Sequence, residues 1–183
     1  MADRLWIFGY GSLMWHPGFA FAEAQVARLQ GFRRSFCMWS IHHRGTPQAP
    51  GLVLALDAVA GGVCDGVAFG VDEDQQGVIN YLRERELISS AYLESGVDLV
   101  LADGRPVRAV AFVVDAAHAQ YCGGMALEAQ ARVIAGAVGG RGRNDEYLFN
   151  TVGHLAELGI TDPDLIWLAA RVREIRASPP SAP

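Results

Sequence analysis

"VDLVLADGRPVRAVAFVVD", residues 97 to 115, argues for antiparallel strands and so bears most directly on the fold class. It holds two alternating runs on either side of Ala102-Asp103-Gly104-Arg105. An Asp-Gly pair between such runs predicts a hairpin, because both residues tolerate the backbone angles of a tight reversal. The two runs therefore pair antiparallel, with no helical crossover between them.

Residues 5 to 9 read as a strand and residues 26 to 39 as one or two more around Gly31. "GLVLAL" (51 to 56) and "GVAFGV" (66 to 71) follow, with a turn expected at Gly61-Gly62. A helix is predicted from about Asp74 to Glu86. The last third is helical. "MALEAQARVIAGAVGG" is expected to stop at its glycine pair. Asn144 is expected to cap a helix that ends at Gly159, and Asp162-Pro163 to open the final one. Strands and helices do not alternate regularly, which argues against a doubly wound parallel sheet. The expected fold class is α+β, a mostly antiparallel small β-barrel with flanking helices. Residues 1 to 176 are expected to form one domain, and the proline-rich residues 177 to 183 a disordered tail.

The chain has 183 residues, 51% hydrophobic and 19% charged, enough for one domain with a proper core. Its net charge of -5 argues against nucleic acid or a membrane surface as partner. No run approaches the roughly 20 apolar residues of a membrane span, and Arg4 precedes too short an apolar run for a secretory signal. Cys37, Cys64 and Cys122 are odd in number and far apart in sequence, which suits reduced thiols in the cytoplasm. No C-x-x-C pair and no ligand spacing among His16, His42, His43, His118 and His154 points to a metal site.

Two stretches carry candidate chemistry. In "WIFGYGSLMW" (6 to 15) an apolar run stops at Gly9-Tyr10-Gly11-Ser12. Position 14 is Met, so the dinucleotide fingerprint fails, and Ser12 is not in G-x-S-x-G. What remains is a glycine-flanked loop with N–H groups and a hydroxyl, which reads either as a tight turn or as a cradle for an anion or a carbonyl oxygen. In "YLRERE" (81 to 86) the helical phase puts Ile79, Leu82 and Glu86 within a sector of about 60° and Glu84 roughly opposite. Glu86 thus lies on the apolar face. There it is either an acid–base group with a raised pKa or half of an ion pair with Arg33, Arg34 or Arg85. "HHRGTPQAPG" (42 to 51) reads as a loop whose Arg44 is either solvated or meets an acidic substrate, and "GRGRNDEYL" (140 to 148) as a helix start that could receive an anion.

In order along the chain, "FGYGSLMW", "HHRGTPQAPG", "YLRERE" and "GRGRNDEYL" resemble the motifs of the ChaC-type, glutathione-specific γ-glutamylcyclotransferases. The resemblance runs from residue 8 to residue 148. It implies a compact barrel with flanking helices, no metal or organic cofactor, and release of 5-oxoproline from a small γ-glutamyl substrate, glutathione above all. It implies Glu86 as the catalytic acid–base residue and Gly9, Tyr10, Gly11, Ser12, Leu13 and Met14 as the substrate loop. Tyr121, in "AQYCGG", matches a further active-site tyrosine. A cyclotransferase for another γ-glutamyl amine or peptide, and a non-catalytic binding protein of the same fold, stay open. No oligomeric state is read from the sequence.

Overall fold

A computed structural model describes residues 4–87 and 90–178. Its described strands are β1 (Leu5–Gly9), β2 (Glu23–Ser40), β3 (Gly51–Val71), β4 (Tyr92–Leu101), β5 (Pro106–Val114), β6 (Val138–Gly139) and β7 (Gly142–Arg143). Its helices are α1 (Gln75–Glu86), α2 (Leu127–Gly136), α3 (Asn144–Glu157) and α4 (Pro163–Ala177). Five strands close into a barrel in the order β1-β3-β2-β4-β5, with β3 also pairing β5. The hairpin expected from residues 97 to 115 is β4–β5, antiparallel in the register Leu99↔Val107 and Val100↔Pro106. Gly104 turns it at φ +88, and its N–H donates to the carbonyl of Leu101 at 2.9 Å. The barrel is mostly antiparallel. The exceptions are the contacts of β5 with β1 and β3, which run parallel.

The chain divides into two compact units. The first comprises residues 1–35 and 55–121, the second residues 36–54 and 122–183. Inside the first, alternate residues fill the barrel: Trp6, Phe8 and Tyr10 from β1 and its exit, Val97, Leu99 and Leu101 from β4, Ala109, Ala111 and Val113 from β5. This period of two is what a pleated strand imposes on its buried face. Small alanines opposite large aromatics let the side chains interdigitate in so narrow a barrel.

Gly61-Gly62 is not a chain reversal. β3 runs unbroken through it, as β2 runs unbroken through Gly31. Both Gly31 (φ +81) and Gly61 (φ +75) are in the left-handed region. A side chain on Gly62 would crowd the carbonyl of Phe32, so the two neighbouring strands approach closely there. A glycine with positive φ inside a strand bends the ladder without ending it, provided a neighbour continues to pair.

In the second unit, α2 stops at Gly136, before Gly139-Gly140, where Gly139 ends β6 and Gly140 with Arg141 turns the β6–β7 hairpin instead. Asn144 does not cap α3. It is fully buried, and its amide holds the backbone of Leu52 from both sides, accepting from the N–H and donating to the carbonyl at 2.7 Å each. Asp162 does cap α4, accepting from the N–H of Leu165 at 3.2 Å, with Pro163 behind it. Ala177, expected to open the tail, is the last residue of α4, and Ser178 caps it by donating from Oγ to the carbonyl of Glu174. The rest of that expected tail, 179–183, lies outside the described residues.

Candidate active site

The parallel pairing of β1 with β5 (Trp6↔Ala109, Ile7↔Val110) makes both strands leave the barrel at the same end. From β1 the chain enters Tyr10 and Gly11 and then a single 3₁₀ turn, Ser12–Met14. From β5 it continues toward Tyr121. At that end the N–H of Asp115 donates to the carbonyl of Ala91, and Tyr92 pairs with Val114. Ala91 is only a short stretch of chain beyond Glu86, so the carboxyl end of α1 is brought to the same place.

Two anchors hold the start of the loop. Tyr10 is buried, and its hydroxyl donates to the carbonyl of Phe112 at 2.9 Å. Its own carbonyl accepts from Nε of the buried Arg34 at 2.6 Å, and Arg34 also donates to the carbonyl of Asp65. Beyond them the loop turns tightly, with the N–H of Met14 donating to Gly11 at 2.9 Å and that of His16 to Ser12 at 2.8 Å. The leading N–H groups of such a turn have no partner within it. Leu13 and Met14 are buried and Ser12 is exposed. Gly9 and Gly11 differ in kind. A Cβ on Gly9 would sit 3.1 Å from Leu13 Cβ and 3.3 Å from Phe69, so that position is tightly packed. Gly11 is buried, yet a Cβ there, at φ −132, would meet nothing within 4 Å. Open space beside a backbone with donor groups is the local requirement for a small polar ligand.

Asp74 caps helix α1, its side chain accepting from the N–H of Gly77 at 3.2 Å. It buries Val78 and Leu82 and leaves Glu84 exposed. Glu86 follows the buried side, as its phase requires, and its side chain is 20% exposed. Burial raises its pKa above the ordinary glutamate value, and the Arg85 charge pulls the other way without cancelling the effect. Arg85 Nε lies 3.2 Å from Glu86 Oε1. The same guanidinium donates to Ser12 Oγ at 3.0 Å, to the carbonyl of His16 at 2.8 Å, and to Tyr81 Oη at 3.2 Å. Ser12, Arg85 and Glu86 thus form one connected group.

Tyr121 belongs to a separate pair, its hydroxyl donating to Asp57 Oδ2 at 2.9 Å. Asp57 follows Leu56, which pairs with Val113, next to the Phe112 carbonyl that receives Tyr10. Arg34, one of the expected partners for Glu86, instead holds Tyr10. The roles of Asp57 and of the Arg85–Ser12 bond carry no signal in the sequence, since nothing in residue spacing joins them.

The other candidates serve the second unit. Arg44 donates to the carbonyl of Arg143 at 3.1 Å and lies 5.3 Å from the Tyr147 ring. The start of α3 is filled by the chain's own carboxylate. Asp145 accepts from the N–H of Glu146 and pairs with Arg143 and Arg176. Among the described residues no three of His, Cys, Asp or Glu cluster to hold a metal ion. No described helix is long and apolar enough to cross a membrane.

A family model described as ChaC-like protein matches residues 5–175. The glutathione-specific gamma-glutamylcyclotransferase of Escherichia coli (strain K12) is 38% identical over 174 residues, which are 94% of this chain and 74% of that protein. Gamma-glutamylcyclotransferase 2-3 of Arabidopsis thaliana is 35% identical over 93% of this chain and 89% of its own length. Among solved structures, the yeast gamma-glutamyl cyclotransferase specific to glutathione shares the fold at a TM-score of 0.84, with 24% identity, over 96% of this chain and 98% of that one.

Proposed function

This chain belongs to the ChaC-like protein family, and we propose that it is a γ-glutamylcyclotransferase that cleaves glutathione to 5-oxoproline and cysteinylglycine. The observation that carries the reading is Glu86, a half-buried carboxylate with a raised pKa, one guanidinium away from the loop beside which Gly11 leaves room. The substrate's own α-amine attacks its γ-carbonyl carbon. A C–N bond forms and closes a five-membered lactam, and the bond from that carbon to the cysteine nitrogen breaks. Ring closure within one molecule needs positioning more than a protein nucleophile. It changes no oxidation state, so it calls for no redox cofactor.

In this reading Glu86 takes a proton from the α-ammonium and returns it to the departing cysteinylglycine nitrogen. A carboxylate whose pKa is raised toward neutrality is better matched to both transfers than a solvated one. N–H groups between Gly9 and Met14, with Ser12, receive the γ-glutamyl group and the charge that develops on its carbonyl oxygen. Tyr10 fixes the loop from inside the barrel, and Tyr121 lines the site. The enzyme works in the cytoplasm, where its three free cysteines stay reduced.

The test is N-acetyl-glutathione. It keeps the γ-amide bond and lacks a competent nucleophile, so no cysteinylglycine is expected from it, while glutathione yields 5-oxoproline. Competition against glutathione is measured alongside to establish that the blocked compound binds. Release of cysteinylglycine with N-acetylglutamate would replace ring closure by hydrolysis through Ser12 or water. A panel of other γ-glutamyl amines, turned over faster than glutathione, would move the substrate assignment and leave the mechanism standing.

A further inference from the structure

Arg85 has more partners around the candidate site than a single ion pair explains. Its side chain is 21% exposed. One terminal nitrogen donates to Ser12 Oγ, and the other reaches the carbonyls of His16 and Pro17 at 2.8 and 3.4 Å and the hydroxyl of Tyr81 at 3.2 Å. Nε is the atom left beside Glu86. The segment it grips is pressed onto the same helix by a second device. Gly18 has φ +77, and a side chain there would collide with Tyr81 Oη. Phe19 meets the Tyr81 ring edge-on at 6.5 Å. Residues 12 to 19 are thus fastened to the last turns of α1 through Tyr81 and Arg85, by groups that leave Glu86 outside their hydrogen bonds.

We propose that Arg85 is a positioning residue, whose forked guanidinium sets the substrate loop in register with Glu86. This rests on the cyclotransferase reading and deepens it. The γ-glutamyl group is held by the loop and its proton is taken by α1, so the rate depends on the separation of two elements that are far apart in sequence. Errors of about 1 Å in such a separation cost on the order of a hundredfold in rate. A planar fork with fixed donor directions can hold three acceptors at once, whereas a lysine ammonium supplies charge without that geometry.

The test uses Arg85→Ala and Arg85→Lys, with Arg83→Ala as the control. Arg83 lies on the same helix but pairs with Glu94 in the open. Arg85→Ala is expected to lose roughly a hundredfold in kcat with KM changed by less than about threefold. Arg85→Lys should recover little of it. Added guanidinium should rescue Arg85→Ala, and methylammonium at the same concentration should not. Amide exchange in residues 12 to 18 should quicken in both Arg85 variants and stay unchanged in Arg83→Ala. Should Arg85→Ala not fold, Arg85→Lys carries the kinetic and exchange measurements. Wild-type kinetics in Arg85→Lys, equal rescue by methylammonium, or unchanged exchange in residues 12 to 18 would each overturn the assignment. Failure of the wild-type enzyme to release 5-oxoproline overturns the functional reading instead, and leaves the exchange result to judge the tether.

Discussion

At the amino end of β1, Arg4 and Arg105 lie 5.7 and 5.8 Å from the centre of the Trp6 ring and pair with Glu23, Asp72 and Asp103. At the carboxyl end of the same strand stand Arg85 and Glu86. Both ends use arginine and carboxylate, and the protons behave in opposite ways. Hydrogen bonds from Arg105 hold Glu23 below the ordinary range, and those from Arg4 do the same for Asp72. Gln25, followed by Arg105, takes Asp103 down to about 2. Glu86 goes up, because burial outweighs a guanidinium that acts on it through charge alone. What separates an ion pair that holds structure from a usable acid–base group is where the arginine sends its N–H groups. Arg4 gives both Nε and a terminal nitrogen to Asp72, at 2.6 and 2.9 Å. Arg85 gives its terminal nitrogens to the loop and to Tyr81.

The largest expected effect tests that contrast directly. Glu86→Gln should fold and lose roughly two to four decades of kcat, the size of a general acid–base contribution. Glu84→Gln, on the exposed side of the same helix, should be nearly silent, and so should Glu23→Gln at the far end of β1. Steady-state release of 5-oxoproline measures all three. Comparable losses in Glu86→Gln and Glu84→Gln would show that the helical phase does not select the base.

A smaller effect separates the two loop glycines. Gly11→Ala adds a methyl to open space beside the loop, so melting should be unchanged while KM rises roughly tenfold, about the value of one hydrogen bond. Gly9→Ala pushes a methyl against Leu13, Met14 and Phe69 and should cost roughly 1–2 kcal/mol of stability by overpacking. If Gly11→Ala lowers the melting temperature with no change in KM, the loop is a turn and not a cradle.

The smallest effect is on stability against pH. Glu86 keeps its proton to a higher pH folded than unfolded, so its contribution to stability falls as pH rises from its unfolded pKa through its raised folded one. Glu23, Asp72 and Asp103 have the opposite sign. Their contributions are present above their unfolded pKa values and lost as pH falls toward the lowered folded ones. Glu86→Gln should therefore melt above wild type at neutral pH and show no gain well below pH ~4. Melting curves across pH measure this, and an equal gain at every pH would remove burial of the charge as its cause.

Much of this protein is written locally. The Asp103-Gly104 hairpin, the inward phase of Glu86 and the Asp162-Pro163 start of α4 each follow from residues within a few positions of one another, because pleat, helical turn and cap are short-range geometries. Tertiary structure decided the rest. Whether Gly61 bends or reverses the chain depended on a neighbouring strand that continues past it. Asn144 had a helix start within reach and instead holds Leu52, 92 residues away, where a buried backbone pair gains more from an amide than an exposed turn does. Arg85 reaches Ser12 across 73 residues. A long flexible side chain near a helix end has many partners open to it in sequence, and only the closing of the barrel brings the loop from β1 within its reach.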